Sequence, residues 1–128
     1  MPNYETEQLC ALLESLIDQY GHNTSKLLQG LVEKLPEYFT GDKAEKKDNR
    51  ILLKRIDANF ENIEVGLIEI YGEDVKGNFP SSRIEDLKQY KSMNSLKFAF
   101  LISFNTNDHI LIREVDDNIN FLELDYNT

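Results

Sequence analysis

The 128-residue chain carries 23 Asp and Glu against 14 Lys and Arg, a formal charge of -9, with one cysteine and no tryptophan. One domain of this length buries roughly two thirds of its unfolded surface in a single core, and the charge opposes broad contact with phosphate backbones or anionic lipid. Cys10 alone closes no internal disulfide and no apolar run reaches the roughly 18 residues of a membrane span, so a soluble, unprocessed chain in the reducing cytoplasm is expected.

Leu9, Leu12, Leu13, Leu16, Ile17 and Tyr20 recur at helical spacing and predict an amphipathic helix over about residues 5–20. Glu5 and Glu7 favour the positive end of its dipole, and Gly21 supplies a left-handed stop. Asn23, Thr24 or Ser25 caps a second helix carrying Leu27, Leu28, Leu31, Val32 and Leu35, which Pro36 should kink or end. Residues 1–40 therefore form a helical hairpin. Residues 41–50 are polar, charged and without period, and are expected as an exposed loop.

Ile51, Leu52, Leu53 and Ile56 fit a short helix by spacing and an edge strand by content, and the strand reading is adopted. Residues 62–71 alternate as a strand that turns apolar on both parities toward its end. Gly72, Gly77, Asn78 and Pro80 mark a loop, and Ser82 with Glu85 forms a capping-box pattern opening a short helix over about 82–91. From Leu96 to Tyr126 the chain reads as three strands. Leu96, Phe98, Phe100, Ile102 and Phe104 share one parity, a turn falls at 105–108, His109 to Val115 returns, Asp116, Asp117 and Asn118 turn again, and a last strand ends at Tyr126.

Assembled, this is a single α+β domain: an N-terminal helical hairpin packed on one face of a mainly antiparallel sheet of four to five strands (51–126), with one short helix inserted before the last three strands. The hairpin is expected on the Phe98, Phe100, Ile102 face.

Candidate chemistry is sparse. Asp108 beside His109 is only a sequence neighbour, His22 reads as a surface loop residue, and two distant histidines with one cysteine make no metal-ligand spacing. Cys10 lies on an acidic helix, the wrong setting for a reactive thiolate. Asp116, Asp117 and Asn118 lack the glycine and distal glutamate of a calcium loop. Glu64 and Glu69 fall on opposite parities and are expected on opposite faces, and Gly72 to Gly77 lacks a phosphate-loop pattern. Lys43, Lys46, Lys47, Arg50, Lys54 and Arg55 are interleaved with acids and read as a solvated segment. No catalytic residue, metal or cofactor is assigned.

The charge distribution points to a non-enzymatic binding protein that masks a basic partner, as small acidic inhibitors and immunity proteins do for nucleases or other cationic toxins. Its anchors would be Tyr71, Phe121 and Tyr126, framed by Glu73, Asp74, Asp108, Glu114, Asp116, Asp117, Glu123 and Asp125. A chaperone for an unfolded segment is the alternative, and a small ligand-binding or enzymatic domain with a pocket between sheet and helices is the next.

Overall fold

The computed structural model describes residues 4–39, 41–72, 75, 79–104, 109–116 and 122–125. Its elements in chain order are α1 (Tyr4–Tyr20), α2 (Thr24–Tyr38), β1 (Lys43–Lys47), β2 (Arg50–Ile56), β3 (Asn62–Ile70), α3 (Ser81–Met93), β4 (Phe98–Ser103), β5 (His109–Glu114) and β6 (Leu122–Asp125). The α+β expectation holds, with six strands among the described residues lying side by side in sequence order. Every neighbouring pair is antiparallel except β3 and β4. That parallel pair requires a crossover, which α3 provides. Among the described residues, no helix is long and apolar enough to cross a membrane.

The helical hairpin forms for the reasons its sequence suggests. Gly21, at φ +62°, donates its N–H to the Ile17 carbonyl at 2.7 Å and closes α1. Asn23 then caps α2 by accepting the Lys26 N–H at 3.2 Å. Pro36 lies in the last turn, and the helix ends two residues later at Tyr38. The leucines of α1 and α2 pack on one sheet face, against Ile51, Leu53, Ile68, Phe98, Phe100 and Ile102. On the other face α3 sets Ile84 and Leu87 against Leu67, Ala99, Leu101 and Leu111. Covered on both sides, β4 is buried along its whole length, which is why it is apolar on both parities.

Three local features differ from the sequence reading. The first is β1, which occupies the segment expected as a loop and pairs with β2 from Lys43 opposite Lys54 to Lys47 opposite Arg50. As an edge strand it has little core to face, and only Ala44 packs against the apolar cluster. Lysine on such an edge also discourages pairing with other chains. Charge stitches it to β2: the two carboxylate oxygens of Glu45 take Lys43 Nζ at 3.1 Å and Lys54 Nζ at 2.9 Å.

The second is the start of α3, where the capping box does not form. Pro80 already holds φ -57° and ψ 137° at the N-cap, the helix begins at Ser81, and no side chain caps it. Glu85 instead faces Lys88 at 3.7 Å.

The third is a β-bulge. Leu53 pairs with Gly66 but Lys54 pairs with Glu64, so Val65 is an extra residue in β3. Val65 and position 66 consequently look to the same face, that of the helical hairpin. A Cβ at 66 would lie 2.1 Å from Phe98 Cζ, so glycine is required to let that ring lie across the strand. The turn expected at 105–108, Asp117 and Asn118, and the residues 119–121 and 126 of the last strand lie outside the described residues.

Substituting Gly66→Ala should cost about 1–3 kcal/mol by overpacking, with part of the loss recovered in Gly66→Ala/Phe98→Leu. Urea denaturation measures both, and a Gly66→Ala midpoint equal to the parent's would contradict the close approach.

Candidate functional site

The face of the sheet that carries α3 is only partly covered. Beside the helix, over β1, β2 and the start and end of β3, a cleft of about 1070 Å³ opens between the strands and α3. Three strands, the β1–β2 turn and one side of α3 line it. Lys47, Arg50, Lys54 and Arg83 stand there against Asp48, Glu64 and Glu69, one net positive charge within a chain of -9.

The bulge builds this site. After Val65 the alternation of β3 restarts with inverted parity, so Glu64 and Glu69 both line the cleft instead of facing opposite ways. Glu69 is 1% exposed and holds two arginines. Arg83 reaches it through Nε at 2.9 Å and Nη2 at 2.5 Å, one donor to each carboxylate oxygen, and Arg50 Nε adds a third bond at 3.0 Å. Fork-to-fork pairing of this kind is the strongest geometry available to a carboxylate. The same hydrogen bonds push the Arg83 guanidinium further above its ordinary value.

Arg50 also lies over the Tyr90 ring, 5.4 Å from its centroid. The Tyr90 hydroxyl donates to Glu64 at 2.6 Å, and that bond, followed by burial, raises the phenol above its usual range. The β1–β2 turn is held as firmly. Asp48 takes φ +55°, Asn49 Nδ2 donates to the Ile70 carbonyl at 3.4 Å, and Ile70 N–H returns a bond to Asn49 O at 2.7 Å. The mouth of the cleft is thus pinned to the end of β3.

The residues expected to bind a partner fall in separate places. Tyr71 lines the cleft and packs edge-on against Phe79 at 5.9 Å. Glu114 and Asp116 meet at Lys91, whose Nζ lies 3.3 Å from Glu114 and in direct contact with Asp116. Burial would lower the Lys91 ammonium, but the bond to Asp116 and the charge of Glu114 outweigh it and the net shift is upward. Burial raises the Glu114 carboxyl, against the opposing pull of Lys91. These two acids therefore tie α3 to the end of β5. Glu123 sits 3.7 Å from His109 Nε2, and Asp125 falls on β6 opposite His109. Glu73, Asp74, Asp108, Asp117, Phe121 and Tyr126 lie outside the described residues.

Burial, then Glu14 and Glu7, push the Cys10 thiol up, which disfavours the thiolate. Among the described residues no three His, Cys, Asp or Glu side chains gather as a metal would need. Compared with known proteins, the chain matches no family model, no curated protein and no solved structure.

Arg83→Met removes the bidentate partner of a buried carboxylate and should cost about 3–5 kcal/mol, whereas Arg50→Met/Glu69→Leu/Arg83→Met should come back to near the parent stability. Urea melts of the two variants test the contrast, and a triple variant as damaged as the single one would contradict it. Tyr90 provides a pH signature. Its neutral phenol is the donor to Glu64, so the stability it contributes is complete below about pH 10 and is lost as pH rises through its raised folded-state pKa. In a near-ultraviolet phenolate titration, Tyr90→Phe should delete one late-ionising tyrosine and Glu64→Gln should bring it earlier; no change in either would refute the bond.

Proposed function

We propose that the chain is a binding protein whose working site is the cleft between α3 and the uncovered part of the sheet. One observation carries this reading: a cleft of ligand-binding size, about 1070 Å³, into which charged and aromatic side chains from three strands and a helix converge. Two of its three carboxylates are already engaged, Glu69 by arginines and Glu64 by Tyr90, which ties the walls of the cleft to one another. Pre-organisation of that kind lowers the ordering cost of binding. The reading belongs to the class of pocket-bearing ligand-binding domains.

The rest of the surface favours a second reading, masking of a basic partner by charge. With the cleft slightly positive, the residual surface is more acidic than the whole chain, and Glu123 has 57% of its side chain exposed. Such a surface speeds encounter with a cationic protein, such as a nuclease or another toxin.

Amide chemical-shift mapping with a fragment set containing neutral, cationic and anionic members separates the two. The cleft reading expects perturbations at Arg50, Tyr71, Arg83 and Tyr90, whatever the class of fragment. Fragments that gather elsewhere, together with salt-sensitive capture of a basic protein that leaves those amides unmoved, would replace it with the masking reading.

A further inference from the structure

Two like-charged pairs stand directly opposite one another on the β1–β2 ladder, Lys43 with Lys54 and Lys47 with Arg50, and all four side chains share the face that bears the cleft. Cations so placed repel, and a sheet tolerates them when an anion lies between. For the first pair the protein supplies that anion: Glu45 bridges Lys43 and Lys54 at 3.1 and 2.9 Å, and the bonds from Lys54 and then Lys43 hold its carboxyl below the ordinary carboxylate range. The second pair, four residues along β1, has no such bridge. Arg50 gives its Nε to Glu69, but its two Nη groups have no acceptor among the described residues, and Lys47 Nζ has no ion pair there.

The three acids of the cleft do not supply the missing charge. Glu69 is held by two arginines and Glu64 by the Tyr90 hydroxyl. Asp48, in the turn between the two cations, forms no ion pair with either among the described residues, and its backbone carbonyl takes Lys46 Nζ at 2.7 Å. Beneath Lys47 and Arg50 the wall changes character: Leu52 and the Tyr90 ring are partly buried and pack on the apolar cluster under α3. Arg50 covers one face of the Tyr90 ring, so the cleft presents a cationic rim with the apolar surface of Leu52 below it.

We infer that the cleft seats a small organic oxyanion, with a carboxylate or phosphate head between Lys47 and Arg50 and an apolar or aromatic body over Leu52, beside the Tyr90 ring that Arg50 covers, an inference that rests on the cleft being the binding site. The head repeats on the second pair what Glu45 does on the first. Arginine offers a fork to two oxygens of the head and lysine a point charge beside it. The net positive charge of the cleft within an acidic chain draws the anion to this face in preference to the rest of the surface.

Calorimetry and amide shift mapping on the full chain test this with four aryl probes of similar size, phenyl phosphate, benzoate, benzyl alcohol and benzamidine, and with inorganic phosphate. Phenyl phosphate and benzoate should bind and move the amides of Lys47, Arg50 and Leu52, with phenyl phosphate tighter than inorganic phosphate. Lys47→Gln, at an exposed position, should weaken both aryl anions about tenfold or more without lowering the melting temperature. Lys88→Gln, on α3, should leave both unchanged. Benzyl alcohol or benzamidine entering the cleft in place of the anions would overturn the oxyanion inference and keep the cleft as the binding site. Equal affinity for inorganic phosphate would overturn the apolar body. Failure of every probe to move a cleft amide would overturn both the inference and the cleft reading beneath it.

Discussion

An extra residue in the middle of a strand governs both the packing and the site. β3 lies between an antiparallel neighbour and a parallel one, with the helical hairpin on one face and α3 on the other, so its side chains have almost no freedom of side. Val65 adds one step to the alternation, and everything after it changes face. Without that step Glu69 would enter the leucine-rich layer under α1 and α2, where nothing could pair it. With it, Glu69 meets Arg50 and Arg83, and Ile68 and Ile70 take their places on the helical hairpin side. Gly66 and the Phe98 ring make the step possible by letting β3 and β4 close over an aromatic side chain.

Charge in this protein is spent locally before it is shown to solvent. Glu69, Glu64, Glu45, Glu114 and Asp116 all have partners within the fold, and the pairs join β1 with β2, β3 with both β2 and α3, and α3 with the end of β5. Helices and central strands are held by burial, whereas the periphery is held by ion pairs. The cleft lies on that periphery, where the apolar layer under α3 gives way to the charged face of β1 and β2.

Much of the fold is legible in the sequence because its strongest signals are periodic. The leucine stripes of α1 and α2, the glycine stop at Gly21 and the two-sided apolar run from Phe98 to Ser103 each have one physical reading. β1 is not legible, since an edge strand made of Lys, Ala, Glu, Lys and Lys has no hydrophobic period and looks like a loop. The candidate site is largely hidden for the same reason. Lys47, Arg50 and Lys54 are scattered among acids along the chain, and only the pairing of two strands gathers them on one face. Glu64 and Glu69 differ in parity by count, and a bulge leaves no composition signal to correct the count. Among the described residues Tyr71 is the expected anchor that lies in the cleft, while Tyr90 falls within the short helix expected over 82–91 and carries no site signal of its own. A glutamate inside the apolar run of β3 is the clue available, because a buried carboxylate demands cations from elsewhere in the chain.

The wall of the cleft formed by β1 has a thermodynamic consequence. β1 is bonded on one side only and buries little apolar surface, so it belongs to the part of the fold that opens most readily. Any group that bridges β1 to β2 from within the cleft adds its binding free energy to the closed state of that hairpin and none to the open one. Occupancy and edge protection are therefore one equilibrium seen from two sides: backbone amides of β1 exchange with solvent at a rate that reports how full the cleft is. An otherwise unremarkable edge strand becomes the natural gauge of the site.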